Sequence, residues 1–188
     1  MSEVRLLPAI LASLVLFGLC VGIGVVAVWQ APSLGEQVLE MLDEELFGEI
    51  LDDSPAMISL KLFLNNLEAC IFLFLGGASA GLLTVAILGV NGVIIGVVME
   101  LVRQEQGMLY VAAALIPHGI FEIPAFITAS ALGLMLGQAL LLELRGEGDA
   151  ARRASELGSA FLRIVVPLLA IAAVVEAFIT PAIIPLVA

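Results

Sequence analysis

The chain has one histidine, His118, and it stands four residues before Glu122 in Pro117-His118-Gly119-Ile120-Phe121-Glu122-Ile123-Pro124. On a helix that spacing sets imidazole and carboxylate on one face, within reach of each other. Together they can pass a proton, or supply two ligands to zinc or a similar divalent ion whose other ligands come from elsewhere in the chain. The pair can equally act as a hydrogen-bonded brace. Pro117 and Pro124 each remove an amide and release a backbone carbonyl, and with Gly119 they mark a helix-breaking stretch whose polar groups need partners. Spacing alone does not separate these uses.

The stretch lies in an apolar run from Met108 to Leu142. Ionisable groups at such depth are costly, and they face a protein interior, a wet cavity or a ligand. Companions for His118 and Glu122 are available in neighbouring runs: Asn65 and Glu68, three apart and on one helical face, and Asn91. Asn66 and Asn91 also suit interhelical hydrogen bonding. Glu176 is a further acid inside an apolar run, with no partner visible in the sequence. Gly77-Ala78-Ser79-Ala80-Gly81 spells G-x-S-x-G, but the strand-to-helix context that gives a hydrolase its nucleophile is missing, and a tight turn explains these small residues. One histidine cannot supply H-E-x-x-H, and no phosphate-binding loop is present.

The elements that hold these residues are set by hydropathy. The chain is 62% hydrophobic with mean hydropathy +1.18, and several runs exceed the roughly 20 apolar residues that cross a bilayer. The alternation of a transmembrane barrel is absent. The expected class is all-α: a polytopic helical transmembrane bundle forming one domain over residues 1–188. It has about five spans, a broken or re-entrant helix and an external amphipathic helix.

Span one is Leu6–Trp29, too long for the apolar part of a signal peptide and read as retained. Met57–Leu101 would be roughly 68 Å as one helix, so Gly76–Gly81 divides it into spans Met57–Leu75 and Leu82–Leu101. The prolines predict a broken or re-entrant piece at Tyr110–Pro124 before span four ends at Leu142. Span five runs from Phe161 and is expected to bend at Pro167. Gly18-x-x-x-Gly22, Gly77-x-x-x-Gly81, Gly92-x-x-x-Gly96 and Gly133-x-x-x-Gly137 allow close helix approach within the subunit or in a homodimer. Cys20 and Cys70 read as small packing residues.

Two segments are polar. Over residues 30–55, Val38, Leu42, Leu46 and Ile50 recur every four residues opposite a run of acids, which predicts an amphipathic helix. Glu36–Asp53 holds eight acids and no base, within a net charge of -11. Such a surface suits a protein neighbour or a salt-rich exterior better than anionic lipid, and acidic, lysine-poor composition would suit a high-salt, archaeal-like source. The lack of a basic patch speaks against a nucleic-acid partner, and none is expected. Residues 143–159 form the second polar segment, a cytoplasmic loop with Arg145, Arg152 and Arg153. With Arg5 these arginines place the N-terminus in the cytoplasm and residues 30–55 outside the cell membrane, leaving Arg103 as one external base.

Several landmarks fall in a familiar order. Phe63 precedes Asn65-Asn66, Gly76-Gly77 and Gly81 follow, then Thr84, Asn91-Gly92 and Gly96, then Pro117-His118-Gly119-x-x-Glu122-x-Pro124-Ala125 and Gly133. From about Phe63 to Gly137 the chain resembles the stage II sporulation protein M family, and the His-Gly-x-x-Glu-x-Pro stretch is the specific part. The resemblance implies a multi-pass α-helical membrane protein. In spore formers the named member works with peptidoglycan-degrading partners, which implies a membrane anchor or scaffold. The leading expectation is thus a non-enzymatic scaffold that recruits a membrane or external protein partner. The alternative is a small transporter or ion or proton pathway using His118 and Glu122, and the third reading is a membrane-embedded hydrolase.

Overall fold

The computed structural model describes residues 6–31, 33 and 53–187. The amphipathic helix expected over residues 30–55 falls mostly on 34–52 and so lies outside the described residues. The described chain is helical: α1 (Leu6–Gln30), α2 (Pro55–Leu75), α3 (Leu82–Gln106), α4 (Met108–Leu144), α5 (Ala150–Ala160), α6 (Val166–Phe178) and α7 (Thr180–Ile183). Five helical stretches are long and apolar enough to cross a membrane, the fifth being Ala150–Leu186 taken as a whole.

Local chemistry sets the joints. Ser54 caps α2 by accepting from the Met57 amide, and Pro55 occupies the first turn, where an amide is not needed. At Gly76–Ser79 the chain tightens into a 3-10 turn, and the Ser79 hydroxyl donates to the Gly76 carbonyl at 2.7 Å while accepting from the Leu83 amide at 2.8 Å. Thr84 donates to the Leu73 carbonyl at 2.9 Å, tying the start of α3 to the end of α2. Gly107 alone joins α3 to α4. Its φ of 86° is open to glycine, and it reverses the chain in one residue while donating to the Arg103 carbonyl.

The core is built around α4, which packs against α1, α2, α3, α5 and α6. Ala125–Ile127, Ala129–Gly133 and Met135–Gly137 are buried. Glycines set the closest approaches. A Cβ on Gly133 would strike the Leu73 carbonyl, one on Gly77 the Gly133 carbonyl, and one on Gly96 the Val21 carbonyl of α1. Three of the small-residue repeats therefore work inside the subunit. Gly18 and Gly22 of the fourth face open space.

Two expectations change. The break at Tyr110–Pro124 does not occur, because Met108–Leu144 is one continuous 37-residue helix with Pro117 and Pro124 inside it. Each proline removes a single i to i−4 bond, and the turns on either side keep theirs. Beyond the prolines the helix is locked by packing, with most of its buried residues between Ala125 and Gly137. At about 1.5 Å per residue the helix is roughly 55 Å long, so it tilts or projects beyond a bilayer core of about 30 Å. The polar segment 143–159 is also more ordered than a loop. A short turn leads to α5, where Asp149 caps the helix by accepting from the Arg152 amide at 2.9 Å. Ahead of Pro167 the helix widens into a π turn over Phe161–Val165, in which the Val166 amide donates to the Phe161 carbonyl.

Candidate functional site

Three helices converge on His118. Its Nδ1 lies 2.5 Å from Oε2 of Glu176 on α6, and both atoms are shielded from solvent. Its Nε2 lies 4.0 Å from Oε2 of Glu122, one turn further along α4. From α2, Asn66 stands close enough to Glu122 for its side-chain amide to serve as a donor to the carboxylate. Cys70, on the same face of α2 as Asn66, is fully buried and within electrostatic reach of Glu122. Side-chain exposure rises from 15% at His118 to 24% at Glu122 and 35% at Glu176, so the cluster opens toward the bundle surface. Asn66 lies 11 residues beyond Pro55 and His118 10 beyond Met108. Both therefore stand about three turns inside helices of spanning length.

Charge is unbalanced here. The charged groups acting on Glu122 are His118 and Glu176. One imidazole, even when protonated, balances one of the two carboxylates. Neutrality at this depth needs one more positive charge, as a proton on a carboxyl or as a bound cation. Among the described residues, no group of three or more His, Cys, Asp and Glu side chains is placed to hold a metal ion.

The expected companions stand elsewhere. Asn65 and Glu68 are exposed on the outward side of α2. Asn91 donates to the Ile87 carbonyl of its own helix at 2.8 Å. Lys61, a basic residue within reach of Glu68 by spacing, pairs with Asp53 at 2.8 Å. Gly119 is buried, Pro117 half-buried and Pro124 exposed, all beside the pair on α4. The Ser79 hydroxyl is held within its own turn. Spacing did not assign Glu176 or Asn66 to the site. The one available signal for Glu176 was an acid deep in an apolar run, which must find a partner.

A second polar cluster lies where α1 and α3 end. Glu100 is almost fully buried and accepts from the Trp29 indole at 2.5 Å and from Gln104 at 2.9 Å. Arg103 grips both of its oxygens, at 2.6 and 2.7 Å. A cleft of about 560 Å³ opens between the end of α4 and α5, lined in part by Gln138, Leu142, Asp149, Arg152 and Arg153. Both arginines bind Glu156, at 3.2 and 3.0 Å.

The chain matches a known family. The pattern of Stage II sporulation protein M covers residues 13–181. The chain belongs to that family. Every residue of the His118 cluster and of the Glu100 cluster lies within the matched stretch. The chain is also similar to an uncharacterized protein of Methanocaldococcus jannaschii, 29% identical over 121 residues, which is 62% of this chain and 67% of the relative. No solved structure matches the chain. With five apolar helices of spanning length, it is a multi-pass membrane protein of the family.

Proposed function

We propose that this protein takes up a proton or small cation at His118, Glu122 and Glu176, as a step in an ion or proton pathway through the membrane. The observation that carries this reading is the charge count: two carboxylates share one imidazole inside apolar helices, so one more positive charge is needed to balance them. Glu122 is the exchanging group. It is half-buried, stands 4.0 Å from the ring and has the Asn66 amide within reach. Glu176 holds the other side of the ring and fixes its orientation. Purified protein in liposomes is expected to move protons or an alkali cation, and Glu122→Gln to abolish the flux. Impermeability of the wild type to a broad ion panel would refute the reading.

A scaffold that meets protein within the membrane is the second reading, favoured by Asn65 and Glu68. Two polar side chains on the outward face of a spanning helix fit a protein neighbour better than lipid. Affinity capture from native membranes is expected to recover a stoichiometric partner, and recovery of none would count against it. Both readings place the N-terminus in the cytoplasm and residues 30–55 outside. Arg103, the external base, is held by Glu100.

A further inference from the structure

We infer that the cleft between the end of α4 and α5 holds the headgroup of a zwitterionic phospholipid, a phosphodiester joined to a primary ammonium. Met135, in the cleft wall, stands 27 residues beyond Met108, about 40 Å along α4 and past an apolar core of about 30 Å. There α4 ends, a turn follows, and the polar α5 packs back against α4. The cleft of about 560 Å³ therefore sits where lipid meets water. Met135, Ala139 and Leu142 form its apolar side, and Glu147, Asp149, Arg152, Arg153 and Glu156 its charged side. Leu141, Leu144 and Leu162 are exposed at the same end of the bundle, as surfaces for acyl chains. A cleft that is apolar on one side and charged on the other fits an amphiphile.

The charges decide which amphiphile. Arg152 and Arg153 each donate to Glu156, at 3.2 and 3.0 Å. A guanidinium has five N–H donors, so both keep donors for a ligand, and one acid offsets only one of the two positive charges. This part of the cleft takes a singly negative phosphodiester, a group that guanidinium forks fit. Asp149 is committed to the start of α5, where it accepts the Arg152 amide at 2.9 Å and meets the positive end of the helix. Glu147 is exposed on the turn and makes no ion pair among the described residues, so this part takes the ammonium. One phosphate and one ammonium balance the surplus arginine and Glu147 together. An anionic lipid would answer the arginine and leave Glu147 opposed to a like charge.

The test titrates the detergent-purified protein with dihexanoyl phosphatidylethanolamine and reads retained lipid by native mass spectrometry. One molecule per chain is expected, and Arg152→Gln combined with Arg153→Gln should weaken binding about tenfold or more, through lost charge-assisted hydrogen bonds. Arg145→Gln, at an exposed arginine that does not line the cleft, should leave binding unchanged. Dihexanoyl phosphatidylglycerol should bind more weakly, and Glu147→Gln should narrow that difference. The Arg152 side chain is 79% exposed and Glu147 is exposed, so these variants keep the fold, which thermal unfolding verifies. Should the double variant melt early, Glu147→Gln carries the test. Equal binding by wild type and a folded double variant would overturn the site. Phosphatidylglycerol bound as tightly as phosphatidylethanolamine, with no effect of Glu147→Gln, would overturn the zwitterion. Phosphoethanolamine or inorganic phosphate bound as tightly as the lipid would overturn the membrane as the source.

Discussion

Glu100 and Glu122 are both acids on spanning helices, and the bundle treats them oppositely. Glu100 faces an excess of donors: an indole, a side-chain amide and a guanidinium that takes both oxygens. Its charge is matched by Arg103, and the assembly is closed. It fastens the end of α1 to the end of α3, helices already in close contact through Gly92 and Gly96. Glu122 shares one imidazole with a second acid and has one amide, that of Asn66, within reach. Its cluster has acceptors to spare and a charge left over. A satisfied buried acid is structural, whereas an acid short of positive charge is a site that awaits something.

The sharpest way to break this comparison is to neutralise each acid. Glu100→Ala strands three donors at once and leaves Arg103 without its partner. The expected outcome is a clear loss of stability, larger than for Glu122→Gln, because the donors of Trp29 and Gln104 lose a nearly fully buried acceptor. Thermal unfolding in detergent reads it, and ion flux through the residual folded protein should persist. Glu122→Gln should change stability by less than about 1 kcal/mol, since the new amide can still accept from Asn66 and the surplus charge is gone. A large stability loss in Glu122→Gln with little change in Glu100→Ala would reverse the assignments.

Much of the frame was readable in advance. Apolar length marks the spans, and Gly76–Gly81 marks the turn between α2 and α3 because small residues leave few other options. Packing within the bundle was harder to read. Pro117 and Pro124 are local helix breakers, but α4 runs through both, since each removes one bond and the turns on either side keep theirs. The site shows the same divide. His118 and Glu122 are legible because four residues are one helical turn. Glu176 meets them from 54 residues beyond Glu122, and no local pattern spans that distance. Asn65 and Asn66 show the limit most clearly. They are the same residue type, side by side, yet a helix turns about 100° per residue, so one faces Glu122 and the other faces out.

That last contrast yields the smallest and most discriminating prediction. If Asn66 acts through Glu122, Asn66→Ala and Glu122→Ala are coupled. A double-mutant cycle should return about 0.6 kcal/mol, the usual size of an interhelical polar contact in a membrane. Asn65→Ala in place of Asn66→Ala should show no coupling to Glu122, although the substitution is chemically the same. Asn66→Ala combined with Glu100→Ala should add within about 0.5 kcal/mol, because no side chain belongs to both clusters. Coupling between Asn66 and Glu100 would mean that the two clusters form one network. The surplus charge beside His118 could then be balanced through the protein itself, without a mobile proton or cation.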